Sequence, residues 1–418
     1  MPEITPFKGL CFNSSLLGSL DSVVTPPYDV ITPEQRADLA RRSSHSMVHL
    51  ILPEERNGLS RYEAAAQDMA AWRVEDALTQ DSEESFYILD QMFEYGGVKM
   101  SRRAFFATAR IPEKGDPAIL GHEQTFARTV EDRLSLTKST RANLGPVFVL
   151  YSDPDGAVKE FLSQADGRAP DLAANTIDGV TQKLWRVSPD PAVVEFFKSK
   201  RLYIADGHHR YGTACAYRDL IREQEGVKQG SSRRSEFVLL GFVSLSDPGL
   251  AIYPTHRLLA VPQGFELEAF LRAAEKWFEI TRVEGDAVAA LESAEGCALV
   301  FAVHGDGVYL LRLKNVDRAE FLGSDRGPEW RDLDVAVLHR GIVQNVMGLP
   351  ADTAFGYERD AATALERVER GEYGIGFLLK ATRADQIQAC AEAAQPMPHK
   401  STYFFPKLPS GAVIHSLE

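Results

Sequence analysis

Between positions 205 and 211 the chain reads Ala205-Asp206-Gly207-His208-His209-Arg210-Tyr211, the densest concentration of reactive side chains in its 418 residues. The apolar run Leu202-Tyr203-Ile204 before it is strand-like. Ala214, Tyr217 and Ile221 after it recur at the i, i+3, i+7 spacing of a helix with one apolar face. A strand that ends in a carboxylate, turns at a glycine and opens a helix with two imidazoles and a guanidinium is suited to hold an anion. Backbone N–H groups and the positive end of the helix dipole point out of a helix N-terminus, where phosphate binds. Gly207, His208, His209 and Arg210 are therefore the candidate phosphate-binding residues. Arg210 would add a planar fork to phosphate oxygens, and Asp206 would hold the Mg²⁺ that accompanies phosphate. The structural explanation, two adjacent histidines and an arginine satisfied at one helix start without a use, is the weaker one.

Other polar groups are weighed against blander readings. His122-Glu123 is evenly divided between a helix cap and a site. Thr255-His256-Arg257 interrupts an apolar context after Tyr253-Pro254, and these three join His122, Lys400 and Ser401 as candidate substrate contacts. Asp29, after two prolines, reads as a turn-stabilising side chain. Asp132-Arg133 reads as a solvated helix face. Lys400 and Lys407 flank an aromatic strand, where edge lysines discourage aggregation.

Composition narrows the function classes. Hydrophobic residues make up 44% and charged residues 25%, values of a folded globular chain, and the length predicts two or three domains or one elaborated two-layer domain. The formal charge of −13 repels nucleic acid over the whole molecule, so any phosphate site must be local. The sequence shows no long apolar run, and the Met1–Lys8 segment lacks the pattern of a signal peptide, which predicts a cytoplasmic protein without a membrane partner. Cys11, Cys215, Cys297 and Cys390 are widely spaced and predict reduced, structural thiols. A Walker A loop, a Gly-x-Ser-x-Gly elbow and a complete dinucleotide fingerprint are all missing. Four positions after His122 stands Phe126, so a zinc-protease helix is excluded.

The elements around the turn alternate strand and helix, which predicts a mixed α/β (α+β) fold. Thr32, Pro33 and Glu34-Gln35 predict a capped helix start, and Tyr62 to Leu78 carries helical periodicity. Met47 to Leu52 is a strand candidate. Phe86 to Asp90 and Arg103 to Arg110 are expected to pair around Gly96-Gly97. His122 to Leu144 is expected to be helical in part, followed by the strand Val147 to Tyr151 and a turn at Asp153 to Gly156. Strands at Val180 to Val187, Arg201 to Ala205 and Phe237 to Leu245 follow, with a short helix from Pro191 and a mobile loop from Gly226 to Ser235. Beyond Pro262 come a helix at Leu267 to Trp277, strands at Ala298 to Val303 and Gly307 to Leu313, a helix at Asp334 to Val346 and a buried strand at Gly376 to Leu379.

On these residues the chain resembles the domain-of-unknown-function 1015 family. The matching pieces are Pro6-Phe7-Lys8-Gly9, Pro26 to Ile31, His122-Glu123 with Thr125 and Asp132-Arg133-Leu134, Leu184 to Val187, the Ala205 to Tyr211 turn, Pro254 to Arg257 and Lys400 to Phe404. Gln182 departs from the histidine expected of relatives at that place. The Asp-Gly-His-His-Arg element is similar to the phosphate-binding turn of the ParB and sulfiredoxin superfamily, which includes nucleotide-dependent kinases of free serine. That resemblance implies a ParB/sulfiredoxin-like core within a larger multi-layer chain. The expected division is residues 1–155, residues 156–261 with the turn, and a C-terminal α/β region 262–418.

It also implies an ATP-dependent (or ADP-dependent) phosphotransferase that converts free L-serine to O-phosphoserine with Mg²⁺. Asp206 takes the role of the aspartate of the turn, Glu123 is the preferred candidate for the upstream acidic base, and His209 and Arg210 complete the catalytic set. The alternatives are a non-catalytic nucleotide- or phosphate-binding regulatory protein and a ParB-like nuclease. The nuclease is disfavoured by the acidic charge and the lack of a continuous basic stripe.

Overall fold

Strands Phe86–Tyr95 and Val98–Arg110 form the longest hairpin, with Tyr95 opposite Val98 across a two-residue turn. Gly96 and Gly97 have φ of 55° and 78°, the left-handed pair that a tight hairpin of matching twist needs. In this computed structural model, which describes every residue except Gln124, the hairpin lies inside a nine-stranded mixed sheet. The order across it is Ile119–Leu120, Leu202–Asp206, Val147–Tyr151, Phe237–Ser244, Val98–Arg110, Phe86–Tyr95, Thr181–Val187 and Leu172–Asn175, with Ile4–Thr5 also paired to Val98–Arg110. Val147–Tyr151 is parallel to Phe237–Ser244 and antiparallel to Leu202–Asp206, so the sheet combines both kinds of pairing within the mixed α/β fold expected.

Alternation along the strands decides the core. Val147, Val149 and Tyr151 share one face with Phe105, Phe197 and Phe242, and the rings of Phe105 and Phe242 stack at 4.6 Å. Each fully buried ring of this kind contributes about 1.5–3 kcal/mol. Helix His208–Glu225 lays Ala214 on the same core, with Tyr211 and Cys215 at its margin. Helix Pro33–Arg42 starts at the expected Thr32, whose hydroxyl accepts the Gln35 N–H while the Gln35 side chain accepts the Thr32 N–H. Helix Ala127–Thr140 ends at Arg141, whose φ of 46° reverses the chain.

One expected strand is a helix. Val48–Ile51 is a short helical segment with Val48, Leu50 and Ile51 all buried, and the Ile51 N–H donates to the Met47 carbonyl at 2.9 Å. A short apolar run is equally compatible with a buried strand and a buried helical turn, and tertiary packing decides between them.

The chain divides into two compact units, Met1–Ala251 completed by Pro406–Glu418, and Ile252–Phe405. This is not the expected division into three consecutive segments. One sheet crosses position 155, because Val147–Tyr151 pairs with strands on the far side of it. The closing segment also returns to the first unit, where Ile414 pairs with Leu10, Ser410 with Thr25, and His415–Ser416 with Ala142–Asn143.

The second unit holds a six-stranded antiparallel sheet in the order Phe278–Arg282, Gly307–Leu313, Ala298–Val303, Ile375–Leu379, His256–Leu259, Gly356–Glu358. Phe301 and Phe377 pack with Phe270, Leu338 and Ile342 on one face, while Val300 and Leu378 pack with Leu291, Ala364 and Val368 on the other.

Candidate functional site

The strand leading into the turn is irregular at its last step. Ile204 faces Val149 and Asp206 faces Phe148, which leaves Ala205 as an extra residue between them. A bulge of this kind bends the strand and re-aims the side chain that follows it. Gly207 then adopts φ 90°, and a Cβ on it would lie 2.9 Å from Arg210 Nε, so both backbone and space call for glycine. The first helical bond runs from the Tyr211 N–H to the Gly207 carbonyl at 2.9 Å, and among the described residues no side chain caps the helix.

Asp206 is clamped from two sides. Arg210, one helical turn on, donates to its Oδ2 and also to the Pro146 carbonyl. Lys407, from the closing segment, donates to Oδ1 at 2.5 Å. Burial alone would raise the Asp206 pKa, but the charges of Lys407 and Arg210 outweigh it and hold the carboxyl down to about 2. Asp206, Arg210 and Lys407 together carry one surplus positive charge, and their side chains are only 12%, 13% and 7% exposed.

The imidazoles are arranged around this clamp. His208 accepts the His122 backbone N–H on Nε2 at 3.2 Å, and its Nδ1 lies 3.4 Å from Glu123 Oε2. An accepting Nε2 assigns the ring proton to Nδ1, facing the carboxylate. The His122 and His208 rings meet edge to face at 4.7 Å. Burial pushes His208 down to about 4 and His122 to about 3, so both are neutral at pH 7. His209 accepts the Phe126 N–H on Nε2 at 3.1 Å and stacks on the Phe126 ring. The structure thus brings His122, Glu123, His208 and His209 into one neighbourhood, and Glu123 keeps 29% of its side chain exposed.

Lys407 escaped the sequence reading, which treated it as an edge lysine. It is buried, and its segment is held from behind by Arg102, which donates to the Pro406 carbonyl at 2.5 Å and to Gln91 Oε1. The Gln91 amide donates to the Lys407 carbonyl at 2.9 Å and to Gln182 Oε1 at 3.0 Å. Gln182, where a histidine was the expectation, is a buried member of this network. A usable signal did exist: Lys407 is the single Lys, Arg, Asp or Glu between Lys400 and Glu418.

Arg133 also differs from the expected solvated helix face. It is buried, stacks on the Tyr28 ring at 4.5 Å, and donates to the Ile51 carbonyl at 2.6 Å and to Asp132. Arg133, Tyr28, Asn143, Arg210 and Ser410 line a cavity of about 60 Å³ whose apolar wall includes Ile51, Leu136 and Val238. Three motifs far apart in sequence meet there.

The remaining candidates lie in the second unit. Arg257 is buried and donates to the carbonyls of Thr255, His399 (3.1 Å) and Lys400 (3.0 Å). His256 Nδ1 accepts the Leu379 N–H at 3.2 Å, and Ser401 donates to the Pro398 carbonyl. Thr255, His256, Arg257, Lys400 and Ser401 are thus joined to local backbone in that unit, whereas the Asp206 turn belongs to the first.

Asp206 does not fit the expected role of resident Mg²⁺ ligand, because both its oxygens are engaged by cations that would repel a divalent ion. Among the described residues, no group of three or more His, Cys, Asp or Glu side chains is arranged to hold a metal. No helix among them is long and apolar enough to cross a membrane. All four cysteines are unpaired, and burial pushes the Cys215 thiol up.

The family model described as "Protein of unknown function (DUF1015)" matches residues 4–336. Among solved structures the chain is similar to free serine kinase in complex with AMP, at 12% identity and TM-score 0.34 over 72% of this chain and 86% of that one. It is similar to a conserved hypothetical protein from Pyrococcus furiosus, at 13% identity and TM-score 0.35 over 73% and 93%. SbnI with a C-terminal truncation from Staphylococcus aureus is similar at 12% identity and TM-score 0.34 over 73% and 85%. No curated protein matches the chain.

Proposed function

The chain belongs to the DUF1015 family, and we propose that it is a nucleotide-dependent small-molecule kinase that phosphorylates free L-serine with ATP, or with ADP as the alternative donor. The observation that carries this reading is the buried Asp206-Arg210-Lys407 cluster, with two cations to one carboxylate, at the start of a helix that no side chain among the described residues caps. Phosphoryl transfer depends on alignment and charge neutralisation more than on covalent catalysis. Gly207, His208, His209 and Arg210 would cradle the phosphates, and Lys407 and Arg210 would keep Asp206 ionised and fixed.

In the transfer step the acceptor hydroxyl oxygen forms a bond to phosphorus as the bond from phosphorus to the nucleotide's bridging oxygen breaks. The hydroxyl proton passes to Glu123, and the nucleotide leaves with the bridging oxygen. Any Mg²⁺ would come with the nucleotide's own phosphates and would supply charge neutralisation there, not on Asp206, whose two oxygens are engaged by cations. The reading sets the protein in the cytoplasm, where nucleotide and free amino acids are available, with no nucleic-acid or membrane partner.

The test is incubation of the full chain with Mg²⁺, ATP or ADP and an amino-acid panel, with products identified by mass spectrometry. O-Phosphoserine is the expected product, and Asp206→Ala or Arg210→Ala should lower its formation by about two to three orders of magnitude. Wild-type product formation by Asp206→Ala would sink the assignment.

A second reading, binding of nucleotide or phosphate without turnover in a regulatory protein, is favoured by the same engagement of both Asp206 oxygens. Nucleotide binding without product across the panel, and unchanged affinity in Glu123→Ala, would select it.

A further inference from the structure

We infer that the cavity between Arg133 and Arg210 holds the carboxylate of the phosphoryl acceptor, which makes the acceptor a small hydroxy- or amino-carboxylic acid; this rests on the phosphoryl-transfer reading of the Asp206 turn. Charge is the first argument. The lining includes two guanidinium groups and, among the described residues, no carboxylate; Arg133 holds Asp132 and Arg210 holds Asp206, but each aspartate is shared with a second cation, Arg61 and Lys407, and the hydroxyls of Tyr28 and Ser410 add neutral donors. Arg210 Nε is buried and finds no hydrogen-bond partner among the described residues. With its Nη1 on the Pro146 carbonyl and its Nη2 on Asp206, Nε is the donor Arg210 has left for an acceptor oxygen.

Size is the second argument. At about 10–15 Å³ for each water-sized group, a cavity of about 60 Å³ takes roughly four to six heavy atoms, room for a carboxylate and a short stem. Gly145 preserves that space, since a Cβ there would approach Ser410 Oγ to 3.0 Å and Arg210 Nη1 to 3.8 Å. The apolar wall at Ile51 and Leu136 suits a short carbon stem.

Position is the third. Arg210 is shared, lining the cavity while its Nη2 holds Asp206, so an acceptor seated here is one guanidinium away from the turn. Burial, together with the Asp29 charge, pushes the Tyr28 hydroxyl up against the opposing pull of Arg210 and Arg133, which keeps it a donor at neutral pH.

The experiment is calorimetric titration of the full-length chain, without nucleotide, using L-serine, glycolate and ethanolamine. L-Serine and glycolate are expected to bind. Ethanolamine, which keeps the hydroxyl but lacks the carboxylate, is expected to bind about tenfold to a hundredfold more weakly, the range for loss of a charged hydrogen bond. Arg133→Met should reduce the preference for the carboxylate and Arg133→Lys should restore part of it. If Arg133→Met does not fold, the comparison of the three ligands on the wild-type chain still decides.

Equal affinity for ethanolamine and L-serine, or no binding of either carboxylate, would overturn the inference. Carboxylate binding without phosphoryl transfer to any acceptor would leave the cavity assignment standing and remove the kinase reading. Phosphorylation of ethanolamine as fast as L-serine would remove the cavity assignment and leave the kinase reading.

Discussion

Lys407→Met keeps the length of the side chain and removes the cation from Asp206. The folded state holds Asp206 at about 2 against an ordinary value of 3.8. Nearly two pK units, at about 1.4 kcal/mol each, correspond to roughly 2 kcal/mol of stability at neutral pH. Because the folded pKa is depressed, that contribution is present above pH 3.8 and is lost as pH falls through about 2. In the variant, burial raises the Asp206 pKa and only Arg210 opposes it strongly. The deficit relative to wild type should therefore be largest near pH 7, about 2 kcal/mol and rising toward the 3–5 kcal/mol of a broken buried ion pair, and should shrink as Asp206 protonates. Urea unfolding followed by circular dichroism between pH 7 and 3 measures it. A deficit of the same size at both ends of that range would refute the electrostatic account and leave Lys407 a packing role. A cycle with Asp206→Asn isolates the pair, since Lys407→Met should then cost much less.

Gly207→Ala combines a φ of 90° with a Cβ 2.9 Å from Arg210 Nε, so it should cost about 1–3 kcal/mol and weaken ATP binding, read by thermal unfolding and calorimetry. Glu123→Gln should lower phosphoserine formation by about two to four orders of magnitude while ATP affinity stays within about twofold, and equal losses in both would show a binding role instead of proton transfer. His208 and His122 sit at about 4 and about 3 against an ordinary 6.5, both lowered first by burial. Their contribution to stability is present above pH 6.5 and is lost as pH falls toward those values, so the urea midpoint should decline across that window, and His122→Asn should flatten the decline.

Elements specified by near neighbours were legible in the sequence. The Thr32-Gln35 box, the Gly96-Gly97 hairpin and the Gly207 turn each depend on rules that act within a few residues. The apolar run at Met47 to Leu52 was not, because its pattern has no period and packing alone makes it helical. Side-chain partners separated by hundreds of positions were also out of reach. Lys407 meets Asp206 across 201 residues, and Arg133 is buried only because Tyr28 and Ile51 close over it. A charged residue in a polar helix carries no local mark that distinguishes a solvated face from a cavity wall. Arg257 shows the same limit, since its hydrogen bonds end on backbone carbonyls some 140 residues away.

Lys407 changes what the turn is. Without it, Asp206 and Arg210 form a neutral pair, and Asp206 is a plausible ligand for a cation. With it, the cluster carries one surplus positive charge in a chain whose formal charge is −13. Charges on the outer surface are screened beyond about 8–10 Å at physiological salt, so the acidic exterior does little to offset a buried cation. The helix start adds its own positive potential at the same place, and the neutral His208 and His122 add no further charge. The arrangement suits an anion better than a metal ion, and on the proposed function Asp206 would hold Arg210 and Lys407 in place for that anion.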